Sequence, residues 1–103
     1  MKRTTKLNEL KAGIGEFTWG EVIKIHEIGE YAIVEYHPWK SEGCIVLSGQ
    51  PDMTETLFSY YIDGEDCSQS AESLDEALAG CIAYKHEGAN AQAGVYFMRM
   101  INK

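Results

Sequence analysis

The sequence predicts one small α+β domain spanning residues 1–103, and three observations predict it. Two strand-like runs flank a two-residue Gly29-Glu30 turn, a serine capping box opens an amphipathic helix at Ser73, and 103 residues suffice for one modest core. The architecture expected is a twisted antiparallel sheet of about four strands. A short N-terminal helix precedes it, and C-terminal helices pack on one of its faces.

Residues 1–6 are basic and read as a flexible tail. Leu7-Asn8-Glu9-Leu10-Lys11 suits a helix of barely two turns, with Thr5 as its cap and Gly13 as its stop. Residues 17–37 form the clearest hairpin. Alternation places Trp19, Ile23 and Ile25 on one face, and the turn wants glycine first because that position needs a positive φ. The implied register sets Ile25 against Val34, Ile23 against Tyr36 and Lys24 against Glu35, so apolar groups meet on one face and opposite charges on the other.

Residues 38–43 read as a loop, residues 44–48 (Cys-Ile-Val-Leu-Ser) as a short central strand, and residues 49–52 as a turn. Residues 56–62 have strand composition and end in an acidic turn, Asp63-Gly64-Glu65-Asp66. Ser73-Leu74-Asp75-Glu76 is a capping box, followed by Leu74, Ala77, Leu78, Cys81 and Ile82 at one-face spacing. Lys85 and His86 favour the helix C-terminus, and Gly88 stops it. Residues 90–102 suit a helix on alanine and methionine content, although Val95-Tyr96-Phe97-Met98 also fits a buried strand. Trp19, Tyr36, Phe58 and Tyr60 are expected inside the sheet's covered face, with Tyr31, Trp39 and Tyr61 pointing outward or in loops.

Charge is distributed unevenly. The formal net charge is −7, yet residues 1–11 carry Lys2, Arg3, Lys6 and Lys11 against Glu9 alone. Between Lys40 and Lys85 there is no Lys or Arg, while Glu42, Asp52, Glu55, Asp63, Glu65, Asp66, Glu72, Asp75 and Glu76 fall there. Such a block repels phosphate backbones and attracts basic partners, so direct nucleic-acid binding is not expected. Part of it serves solubility and helix capping. No apolar run reaches the ~18 residues of a membrane span, and no apolar leader follows the basic N-terminus. Three cysteines, Cys44, Cys67 and Cys81, form no disulfide framework and imply a reducing cytoplasm. Cys81 is expected in the helix stripe and Cys67 in a polar loop.

No catalytic or metal constellation stands out. Cysteine and histidine occur without close ligand spacing, and His26 and His37 would lie about 13 Å apart along the hairpin. No serine sits in a strand-to-helix elbow. Gly13-Ile14-Gly15 is a turn rather than a phosphate loop. No cofactor is implied.

The function expected is therefore non-enzymatic. A small acidic cytoplasmic protein would dock an acidic, aromatic surface on a basic protein, its carboxylates standing in for phosphates where that partner binds nucleic acid. The candidate residues are Asp63, Glu65, Asp66 and Glu72 for charge, with Tyr61 and Trp39 as anchors. Two alternatives stay open: an assembly subunit acting as a homodimer, and a small enzyme or ligand-binding domain using His26 or His37.

Overall fold

Alternating side chains build most of this molecule, and a computed structural model describes residues 2–87 of it. The elements run β1 (Arg3–Thr4), α1 (Leu7–Ala12), β2 (Glu16–Phe17), β3 (Gly20–Ile28), β4 (Tyr31–Glu42), β5 (Ile45–Pro51), β6 (Leu57–Ile62), β7 (Glu65–Ala71) and α2 (Leu74–Glu87). The main sheet is antiparallel in the order β3-β4-β6-β7, with β5 paired to the end of β4. This is the α+β arrangement expected, in five strands rather than four. The helix or strand expected over residues 90–102 lies outside the described residues.

Around the Gly29-Glu30 turn the anticipated register holds, with Ile25 opposite Val34 and Lys24 opposite Glu35. Gly29 takes φ 61°, as a glycine-first turn requires. Further from the turn the register slips at a bulge between Val22 and Lys24. Val22, not Ile23, therefore stands opposite Tyr36, and Ile23 is left 45% exposed. Trp19, expected inside, is 53% exposed.

Residues 38–43 are not a loop. β4 runs through Pro38 to Glu42, turns at Gly43-Cys44 and returns as β5. Proline is tolerated because its carbonyl still accepts the Asp52 amide at 2.7 Å. Among the described residues β5 pairs with β4 alone and is not central there, and residues 49–51, expected as a turn, complete it. Strand β7 was not anticipated at all. Asp63 and Gly64, at φ 51° and 81°, form a two-residue hairpin turn of the type that favours Asp-Gly, and Ile62 pairs with Glu65 across it.

Both faces of the sheet are covered. One buries Ala32, Val34, Tyr36 and Tyr61 together with Leu7 of α1 and Phe17 of β2, and Val22, Ile25, Leu10 and Leu57 pack around them. Phe17 meets the Tyr36 ring edge-on at 4.9 Å. The other buries Ile33, Tyr60, Cys67 and Ala71 beneath Ala77 and Cys81 of α2. Ser73 caps α2 as expected, its hydroxyl accepting the Glu76 amide at 3.1 Å. Gly80 brings the helix close, because a Cβ there would meet the Tyr60 ring at 2.8 Å. Ile82 falls outside the buried stripe at 45% exposure, and Tyr84 packs in its stead.

The basic N-terminus is anchored rather than tail-like. Arg3 and Thr4 pair with Glu16 and Phe17, and Thr4 is buried. Thr4, not Thr5, prepares the turn into α1: its hydroxyl accepts the Lys6 amide at 3.0 Å and donates to Glu9 at 2.9 Å. The Lys2 ammonium and that hydroxyl hold the Glu9 carboxyl below its usual range.

Candidate functional site

Where β7 bulges at Ser68, an open groove of about 310 Å³ forms on the face shared with α1. Trp19, Tyr36, Ser59, Ser68, Gln69 and Ser70 line it. The register explains the gathering. Ser59 is paired with Ser70 on one side and Val34 on the other, so it floors the groove between the strands. Ser68 adopts φ 55°, with its amide held at 2.8 Å by the Asp66 carboxylate, and this local turn opens the edge of the sheet. Trp19 forms the opposite wall from the chain segment before β3.

The groove combines two aromatic side chains, Trp19 and Tyr36, with hydroxyls, an amide and a nearby carboxylate. Asp66 stands opposite Tyr61 across the strands. Burial raises the Tyr36 phenol above its usual range, and the Asp66 charge adds to the rise while a hydrogen bond with Ser70 opposes it. Burial likewise pushes Tyr61 up strongly, again with Asp66 contributing. Both phenols therefore stay neutral, and Asp66 supplies the negative field at this end of the face.

The expected binding residues divide. Asp63 and Glu65 are exposed at the β6–β7 turn, with Asp66 half-buried beside them. Glu72 lies beyond the other end of β7, about 13 Å from Asp66 once the bulge is allowed for, and two residues past Ser70 of the groove. The acidic block as a whole follows this division: Glu42, Asp52, Glu55, Asp75 and Glu76 belong with Glu72 to the opposite end, since Leu57 and Ala71 mark that end of β6 and β7. A single acidic face is thus not formed.

Tyr61 is not a surface anchor. It is completely buried, and its hydroxyl donates to the Thr5 carbonyl at 2.6 Å. Trp39 is half-buried, its indole N–H donating to Thr18 at 2.9 Å and its ring lying 4.6 Å from the Arg3 guanidinium. Trp19, which alternation had placed inside, is the exposed aromatic instead. It stands in the turn one residue before β3, outside the ladder whose alternation that expectation extended.

The histidines lie apart from the groove. His26 faces α2's side of the sheet, 2.8 Å from Glu35 and near Phe58, while His37 Nδ1 lies 2.7 Å from the Glu55 carbonyl. Their pairing positions, opposite Ile33 and Glu21, keep them separate. Among the described residues no His, Cys, Asp and Glu side chains gather in a group able to hold a metal ion. Cys67 is in β7 and buried, not in a polar loop; Cys81 is buried as expected, and Cys44 is exposed in the β4–β5 turn. No described helix is long and apolar enough to cross a membrane. Comparison of the chain with family models, with curated proteins and with solved structures returns no significant match, so the groove and its neighbours speak for themselves.

Proposed function

We propose that this protein is a non-enzymatic binding protein that docks on a basic protein partner, seating a lysine or arginine side chain in the groove beside Ser68. The observation that carries the reading is an exposed indole, Trp19, facing a floor of hydroxyls, with the Asp66 carboxylate close behind, holding the Ser68 amide and acting on Tyr36. A cationic head group stacks on the indole face for about 0.5–2 kcal/mol and donates to the carboxylate and serines. Asp63 and Glu65, at the β6–β7 turn beside Asp66, add to the negative field and steer the approach. Tyr61 and Trp39 have no part in this contact.

Calorimetric titration with a synthetic peptide of alternating Lys and Ala, set against a matched Glu-Ala peptide, tests it. Binding of the basic peptide alone is expected, weakening as salt rises from low to physiological strength. Asp66→Asn keeps the oxygen that accepts the Ser68 amide and removes the charge, and it should weaken binding about tenfold; Trp19→Ala should act similarly. Asp75→Asn, in α2 on the opposite face of the sheet, should leave affinity unchanged. Equal losses from Asp75→Asn and Asp66→Asn, or no binding of the basic peptide, would overturn the proposal.

A further inference from the structure

We infer that the outer edge of β5 pairs with the same edge of a second copy of this chain, forming a twofold antiparallel β5–β5 junction centred on Val46. Three strands of the main sheet leave an outer edge without a described partner: β3, β7 and β5. Two carry the devices that keep edges from pairing. Along β3 stand Glu21, Lys24 and Glu27, with the bulge after Val22; along β7 stand Glu65 and Asp66, with Ser68 in the left-handed region. β5, Ile-Val-Leu-Ser-Gly-Gln-Pro, has no charged residue, and its only proline is the last.

The strand is also bare on both faces. Ile45 is 66% exposed and Val46 60%, although neighbours in a strand point to opposite sides. A two-stranded ribbon exposed in this way is marginal in water, and a third and fourth strand would cover it.

The choice of a second copy, rather than a basic partner, rests on charge and register. Residues 39–51 contain Lys40 and Glu42 and no other charge, so the ribbon is neutral in a chain of net charge −7. It offers a cationic partner no attraction and its own twin no local repulsion. The Gly43-Cys44 turn makes Glu42 and Ile45 the closing pair, which exchanges both backbone bonds in a two-residue hairpin. The amide and carbonyl of Val46, in the next pair, therefore point away from β4. A twofold axis at Val46 satisfies them with the other copy's Val46, and it places Ile45 opposite Leu47 of that copy on one face. An antiparallel edge that matches itself in apolar side chains and backbone bonds needs no second sequence.

Sedimentation equilibrium of the full chain from 1 μM to 1 mM, at low and high salt, provides the test. A monomer–dimer equilibrium is expected, strengthening as salt screens repulsion between the two acidic bodies. That sign is opposite to the salt response of the basic-peptide contact, so the two proposals fail separately. Val46→Lys should raise the dissociation constant more than tenfold with the circular dichroism spectrum unchanged, whereas Met53→Lys, equally exposed but outside β5, should not. A chain monomeric at 1 mM, or a dimer indifferent to Val46→Lys, would overturn the inference. Loss of basic-peptide binding in Val46→Lys with no wild-type dimer would also overturn it, giving the edge to the partner.

Discussion

The dipeptide Ile-Val occurs twice in this chain, with opposite fates. Ile33 and Val34 in the first half of β4 are completely buried, whereas Ile45 and Val46 at the start of β5 are 66% and 60% exposed. Both pairs lie in antiparallel strands beside a glycine-first turn. What separates them is layering. Ile33 lies under α2 and Val34 faces the α1 and β2 layer, so each face of that strand has a cover. The β4–β5 ribbon extends past both layers. Local sequence thus sets strand formation, and only the placement of distant elements sets burial.

The largest consequence of that difference is in stability. Ile33→Ala removes a side chain packed from every direction and should cost about 2–5 kcal/mol in urea denaturation, while Ile45→Ala at low protein concentration should stay within about 0.5 kcal/mol. Comparable losses would mean the ribbon is packed as tightly as the body. A smaller effect sharpens the α2 side of the comparison. Gly80→Ala gains helix propensity of about 1 kcal/mol but drives a methyl into the Tyr60 ring, at about 1–3 kcal/mol for overpacking. A net destabilisation near 1 kcal/mol is expected. A stabilised variant would show that the helix stands off the sheet. Tyr61→Phe removes the hydroxyl that ties Thr5 across 56 residues, at about 1 kcal/mol, and should speed amide exchange in β1 and α1 more than in α2.

Much of the fold was legible in the sequence because local chemistry determined it. The Gly29-Glu30 turn, the Lys24–Glu35 and Ile25–Val34 pairs and the Ser73 cap all follow from residues close in sequence. The errors have physical causes too. Pro38 reads as a breaker, yet its carbonyl remains available to the ladder, so the second glycine-first turn at Gly43-Cys44 was hidden. Residues 65–71 hold no β-branched or aromatic side chain, and their strand forms because Cys67 and Ala71 are small enough to fit beneath α2. The signal that would have found it is Asp63-Gly64 after an alternating run. The groove was legible only in part. Asp66 was singled out for its charge, but Trp19 belongs to a turn that precedes β3, where alternation does not apply, and the serines gather by cross-strand register. Tyr61 failed as an anchor because the N-terminal segment, taken for a tail, covers its face.

The three thiols repeat the contrast between body and ribbon in a form with the least effect at neutral pH. Cys67 and Cys81 lie on the α2 side of the sheet, where burial pushes the thiols up to about 11 and about 12, and Cys44 sits exposed at the ribbon's turn. At pH 8 an aromatic disulfide reagent should modify one thiol per chain quickly, and the other two only at the rate at which the body opens. The same groups couple folding to pH. Their unfolded counterparts ionise near 9, so below that pH both states keep their protons and the contribution to stability is complete. Above it the unfolded chain loses protons first, and stability falls progressively toward pH 11–12. Tyr36 and Tyr61, also raised, add a loss of the same sign from about pH 10, so the interval from 9 to 10 belongs to the thiols. A Cys67→Ala, Cys81→Ala double variant should flatten the denaturation midpoint across that interval while Cys44→Ser leaves its slope unchanged. Three thiols reacting in one fast phase, or a slope that survives the double variant, would place the β6–β7–α2 contact nearer to the ribbon in character than to the rest of the body.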